Sequence, residues 1–208
     1  MKPIILIGGG GHCKSVIESA ESAGLQIKGI LDTPENVGKN VLSYKVIGTD
    51  DDIPKYVDDC EFVVTVGFIK SPKLNILLHE KVIQVNGRFA TIIASTAHVS
   101  KYATIGLGVV IMHHAFVNAG AVIGFGSIIN DFANIEHDVR IDQHCHVSTG
   151  AMINGECIIG ENTFIGSQSV IANCIKIYPN VVIGAGSVVY KNIMESGTYV
   201  GNPIKKIR

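Results

Sequence analysis

The chain has 208 residues, is 47% hydrophobic and carries a formal net charge of −1. That length suits one large or two small domains, and so balanced a charge gives nucleic acid or an anionic membrane surface nothing to hold. No apolar run is long enough to span a bilayer and no basic-then-apolar signal segment precedes the first strand, so a soluble cytoplasmic protein is expected.

Pro3 to Ile7 is an apolar run that reads as a buried strand. Gly8, Gly9, Gly10, Gly11 and His12 then form a tight turn, and a helix is predicted from about His12 to Ala23, ended by Gly24. Ile27–Leu31 reads as a second strand closing on Asp32. Thr49 to Val57 suggests a short helix capped by Thr49 or Asp50, Glu61–Val66 a third strand closed by Gly67, and Ser71 to Val85 a second long helix. Strand alternating with helix implies a small Rossmann-like parallel sheet. Asn86-Gly87 is the last clear turn before the pattern changes, so domains of 1–88 and 89–208 are expected.

A glycine turn between first strand and first helix lets a ligand approach the backbone, and helix N-terminal N–H groups attract phosphate. An acidic residue about 20 positions on, here Asp32, is the usual partner of a ribose hydroxyl. The dinucleotide fingerprint wants glycine at its first, third and sixth places. Gly8 and Gly10 match, but Cys13 stands at the sixth. With so short a domain, a single nucleotide or a nucleotide-sugar fits better than a dinucleotide; the bland alternative is that the glycines only make a turn.

From Ile93 to Val189 every sixth residue is Ile or Val, without insertion or deletion. Four places after each starter the side chain is usually small, as in Ala115, Ala133, Cys145 and Ser169. Gly, Asn or Asp often follows the starter, as in Gly106, Asn130 and Asp142. A fixed short period dictates architecture before local propensity does. A six-residue period demands one short parallel strand per hexad and three hexads per coil, with coils stacked at strand spacing. This resembles the hexapeptide-repeat acyltransferases, which implies a left-handed parallel β-helix. Cys145 and Cys157 fall on inward positions and read as small buried residues; the five cysteines show no paired-motif spacing.

The phase of the repeat sorts the histidines. His137 and Asp138 hold the third and fourth places of their hexad and should project from a corner, with Gly155 eighteen residues on beneath them. His146 is at the sixth place and faces outward, stacked with Val110, Ile128, Phe164 and Val182. An outward apolar stripe needs a cover. A homotrimer would provide one, placing His146 at a subunit interface and sharing the active site between chains. His113, His114 and His144 read as polar corner residues. No two histidines stack on adjacent coils as zinc ligands would, so no metal is expected.

With these residues in view, the whole chain resembles the bacterial sugar acyltransferases of the sialic acid O-acetyltransferase type, the PglD/NeuD-like family. The resemblance rests on Ile7-Gly-Gly-Gly-Gly-His-Cys-Lys14, Gly29-Ile-Leu-Asp32, Val66-Gly67, Ile135-Glu-His-Asp138, His144-Cys-His-Val-Ser-Thr-Gly-Ala151 and Val200-Gly-Asn-Pro203. It implies transfer of acetyl from acetyl-CoA to the 4-amino group of a nucleotide-linked sugar, or alternatively O-acetylation of a sugar of the sialic acid type. It implies that His137 is the general base, with Asp138 beside it. It also implies acetyl-CoA contacts at His146, Gly155, Ser167 and Ala185, and nucleotide-sugar contacts at Gly10, Gly11, His12, Asp32, Thr33 and Gly67. Cys13 and Ala185 stand where relatives often have glycine or another small residue.

Overall fold

The computed structural model describes residues 2–208. Its first part is a five-stranded sheet built from β1 (Ile4–Ile7), β2 (Ile27–Leu31), β3 (Asn40–Val41), β4 (Tyr44–Gly48) and β5 (Glu61–Val64), in the order β3-β4-β2-β1-β5. β1 pairs in parallel with both β2 and β5, and β2 with β4. Every residue of β1 is buried, as expected of a central parallel strand covered on both faces. Helix α1 (Gly11–Ser22) begins one residue before the predicted start, and Gly24 follows it at φ +71°, a left-handed stop that glycine adopts without strain. Asp50–Tyr56 is a 3-10 helix rather than an α-helix, started by a capping box between Thr49 and Asp52. Helix α2 (Lys73–Gln84) follows β5.

The antiparallel hairpin of β3 and β4 departs from the sequence expectation. Its strands are short and sit at the sheet edge, and β4 is held as a strand by pairing with the exposed edge of β2.

The rest of the chain is a coil of two-residue strands, each made of the sixth residue of one hexad and the first of the next. Strands eighteen residues apart pair in parallel, for example Ile128 with His146 and Ile129 with Val147, without a slip along the helix. Three sheets result. The first runs from Ile92–Ile93 through Val181–Ile183, the second from His98–Val99 through Val188–Val189, and the third from Thr104–Ile105 through Lys176–Ile177. The inward Ile/Val starters form ladders, and Ile111, Ile129, Ile135, Ile153 and Ile171 are all fully buried. Each such burial contributes about 1.5–3 kcal/mol. Ala133, Cys145 and Cys157 fill the tighter inward places with no exposure, as expected of small residues there. At the far end Gly197–Val200 adds to the first sheet beside Val181–Ile183.

One expectation is overturned. The upper part of the outward stripe on the first sheet, Val110 and Ile128, is covered by the chain's own first domain, whereas Phe164 and Val182 line an open groove. Val110, Met112 and Ile128 belong to the same buried cluster as Ile4, Cys13, Val16 and Ile17. The cause is the connection between the two parts. Phe62 N–H donates to the Arg88 carbonyl at 2.8 Å, and Ala90 N–H donates to the Phe62 carbonyl at 3.0 Å. The linker is thereby fastened along the edge of β5, so the domain folds back onto the first coil face the chain reaches.

Candidate active site

The turn between β1 and α1 leaves backbone uncovered. A side chain added at Gly9 would strike the Asp32 carboxylate at 2.6 Å, whereas at Gly10 or Gly11 it would meet nothing within 4 Å. No side chain caps α1. The Cys13 N–H turns back to the Gly10 carbonyl at 3.1 Å, so the N–H groups of Gly11 and His12 are the ones open to an anion. Gly10, Gly11, His12 and Gly67 line one cavity of about 560 Å³ together with Phe68 and His146. Asp32 and Thr33 line a smaller cleft of about 110 Å³ on the other side of Val66. Within it, Asp32 accepts the Thr33 N–H at 2.8 Å and an Asn36 amide N–H at 3.0 Å.

His146 forms the floor between this cavity and the coil. Its Nδ1 lies 2.9 Å from the Phe68 carbonyl and 3.4 Å from the Phe68 N–H; the shorter contact, to a group that can only accept, favours the tautomer with the proton on Nδ1. Nε2 is buried without a partner, as is His12 Nε2, and the two rings lie 5.7 Å apart between centroids. Burial, reinforced by His12, pushes the His146 imidazole down to about 4, so it is neutral near pH 7. Beyond His146 the groove continues for about 330 Å³ along Ser148, Phe164, Ser167 and Ala185. Ser148 and Ser167 share a hydroxyl hydrogen bond of 2.8 Å. Phe68, Ile69 and Ser148 were not anticipated as lining residues. The signal for the first two was their place just after Gly67, where a parallel strand ends and ligands gather.

His137 and Asp138 lie elsewhere. They occupy the corner between the second and third sheets, the vertex of the prism opposite the first sheet that carries His146. His137 Nδ1 pairs with Asp138 Oδ2 at 3.0 Å, leaving Nε2 as the free acceptor. Asp138, Glu136 and Glu156 all favour the charged ring, the Asp138 bond most, and hold its pKa above the ordinary value. Gly155 is beneath it, where an added Cβ would come within 2.6 Å of His137 Nε2. Gly155 therefore shares a corner with His137, while Ser167 and Ala185 share the groove with His146. Among the described residues the two sets lie on different faces of the prism.

His144 is corrected as well. It is not a free corner residue but is packed against His79 of α2 at 5.1 Å between centroids, with Phe125 beside both. His113 and His114 do sit at an exposed corner, with His113 Nδ1 2.8 Å from the Thr96 hydroxyl.

A coil of this kind, joined to a nucleotide-type domain with an open glycine turn, defines a hexapeptide-repeat acyltransferase. The PglD N-terminal domain family matches residues 3–73, and the bacterial transferase hexapeptide family matches residues 156–191. The acetyltransferase domain of PglB from Neisseria gonorrhoeae FA1090 is 30% identical, with a TM-score of 0.91 and 100% coverage of both chains. The same domain has been solved with acetyl coenzyme A, at 30% identity, a TM-score of 0.91 and 99% coverage of each chain. A histidine-to-asparagine mutant of perosamine N-acetyltransferase from Caulobacter crescentus, solved with CoA and GDP-perosamine, is 28% identical, with a TM-score of 0.93 over 100% of this chain and 98% of that one. Among curated proteins, none matches the sequence. The chain belongs to the PglD/NeuD-like family of hexapeptide-repeat sugar acetyltransferases.

Proposed function

We propose that the protein transfers acetyl from acetyl-CoA to the 4-amino group of a nucleotide-linked amino-dideoxy-sugar in bacterial glycan biosynthesis. One observation carries this reading: two adjoining cavities that share Ile69 and His146 lead from the bare N-terminus of α1 to Ser167 and Ala185. The nucleotide-sugar lies at Gly10, Gly11, His12 and Gly67, with its nucleoside end toward Asp32 and Thr33. Acetyl-CoA lies along Ser167 and Ala185 and meets Gly155 of a neighbouring chain. The PglB domain bound to acetyl coenzyme A and the perosamine enzyme bound to CoA and GDP-perosamine support the choice of ligands.

His137 is the general base in this reading, with Asp138 setting its tautomer. The amine attacks the thioester carbonyl, His137 Nε2 takes an amine proton, and coenzyme A leaves as thiolate. The Gly155 N–H stabilises the oxyanion; its neighbours Asn154 and Glu156 donate to the Ile171 and His137 carbonyls. Transfer is direct in this reading, because an amine attacks a thioester without help from an enzyme nucleophile; Cys13 and Cys145 are buried, which pushes their thiols up to about 11 and about 12. Since His137 and His146 stand on opposite sides of one prism, a second chain must bring its groove to the His137 corner. A homotrimer does this most simply, and a light-scattering mass near that of a single chain would refute it. We place the enzyme in the cytoplasm; no helix among the described residues is long and apolar enough to cross a membrane. Cell fractionation tests that placement. The function itself is tested with His137→Ala, assayed on acetyl-CoA and UDP-, GDP- or TDP-linked 4-amino-sugars. Turnover should fall on the order of 10²–10⁴-fold, and near-normal turnover would remove His137 from the mechanism.

A further inference from the structure

Glu136 plays no part in the mechanism above, yet it is one of the most tightly held carboxylates on the coil. Its Oε2 accepts an N–H from Asn118 Nδ2 at 2.8 Å, one coil above. Its Oε1 accepts from Asn134 Nδ2 at 3.1 Å, on its own strand. Asn118 is fixed in turn, because its Oδ1 accepts the Ala119 N–H at 2.7 Å. Both carboxylate oxygens are therefore tethered, each by a neutral donor. A lysine or arginine in either place would have cancelled the charge. An amide holds the carboxylate in place and leaves the charge intact. The bond from Asn118, then that from Asn134, keeps the Glu136 carboxyl below its ordinary range.

The result is an immobile negative charge one residue from the proposed base. The other charges facing His137 are less constrained. Asp138 is on the exposed outer turn of the corner with a 64% exposed side chain, and Glu156, on the next coil, is also exposed.

We propose that Glu136, locked by Asn118 and Asn134, is a positioning residue for acetyl transfer: it fixes the His137 corner and stabilises the imidazolium that forms there. The inference rests on the reading of His137 as base. As the C–N bond forms and the C–S bond breaks, the proton leaving the amine goes to His137 Nε2. The ring then carries a positive charge until it returns that proton to the thiolate or to water. A fixed carboxylate favours that interval without accepting the proton.

The test compares pH profiles of kcat for the wild type and Glu136→Gln, a change that keeps the shape and removes the charge. The acid limb of the variant should move to lower pH by roughly half a unit, as expected for losing one charge on the adjacent residue in a water-like medium, while KM for acetyl-CoA stays unchanged. NMR titration of His137 reads the same shift without turnover. Asn118→Ala and Asn134→Ala keep the charge but release it, so they should lower plateau kcat and leave the limb in place. A Glu136→Gln limb and a His137 titration that both stay at the wild-type pH overturn the proposal. His137→Ala run alongside separates the two levels: if it retains turnover, the base assignment falls, whatever Glu136 does.

Discussion

Buried imidazoles make this protein sensitive to acid at particular residues. His79 is buried, donates its Nδ1–H to the Asn75 carbonyl at 2.8 Å, and is pushed down to about 4, first by burial and then by the nearby His144. His146 is also pushed down to about 4. In the unfolded chain both would titrate near 6.5, so the folded state binds fewer protons between those values. Their contribution is fully present above pH 6.5 and is lost as pH falls through 4. The thermal midpoint should therefore drop as pH is lowered across that window, and His79→Leu should flatten the drop; differential scanning calorimetry checks it. On His144, beside His79, Glu161 on the coil and Glu80 on α2 act against the effect of burial. Gly155 gives a second residue-level prediction. Gly155→Ala places a methyl 2.6 Å from His137 Nε2. It should cut kcat at least tenfold in the acetyl-transfer assay with little change in melting temperature, since the backbone there is otherwise unstrained. At this scale the repeat phase located His137 above Gly155 correctly, because an eighteen-residue stack is fixed by the sequence period. It put His144 at a corner, where it is, but missed its burial against His79, because the phase reports which way a residue leaves the coil and not what later packs on it.

The coil element is a ladder, and its stability is spread along it. Ile135 and Ile153 stack on one another with no exposure. Ile153→Ala should destabilise the fold by about 2–5 kcal/mol, measured by urea denaturation. The strands, helices and coils were legible because their signals are local. Gly24 stops α1, Thr49 caps the 3-10 helix and Ile/Val marks each hexad. The β3–β4 hairpin was not legible. Tyr44–Gly48 carries no strong period, and its strand identity comes from the edge of β2.

At the scale of the molecule, the apolar stripe was legible as something needing a cover, but its partner was not. Sequence shows that Val110 and Ile128 face out. Only the fastening of Phe62 to Arg88 and Ala90 decides that the first domain, and not another subunit, lies over them. A fragment of residues 89–208 should therefore expose Val110, Met112 and Ile128 and aggregate, as size-exclusion chromatography would show. Val110→Thr with Ile128→Thr should restore solubility. The same junction has a meaning for how such enzymes diversify. The part of the chain that precedes the coil cannot be exchanged like a cassette. The incoming domain must bring a surface that fits this coil face, and its loop after β5 must still offer His146 a carbonyl where Phe68 now does. Recombinants cut at the linker should fail more often than those cut within the coil beyond Phe164, where the stripe travels with its cover.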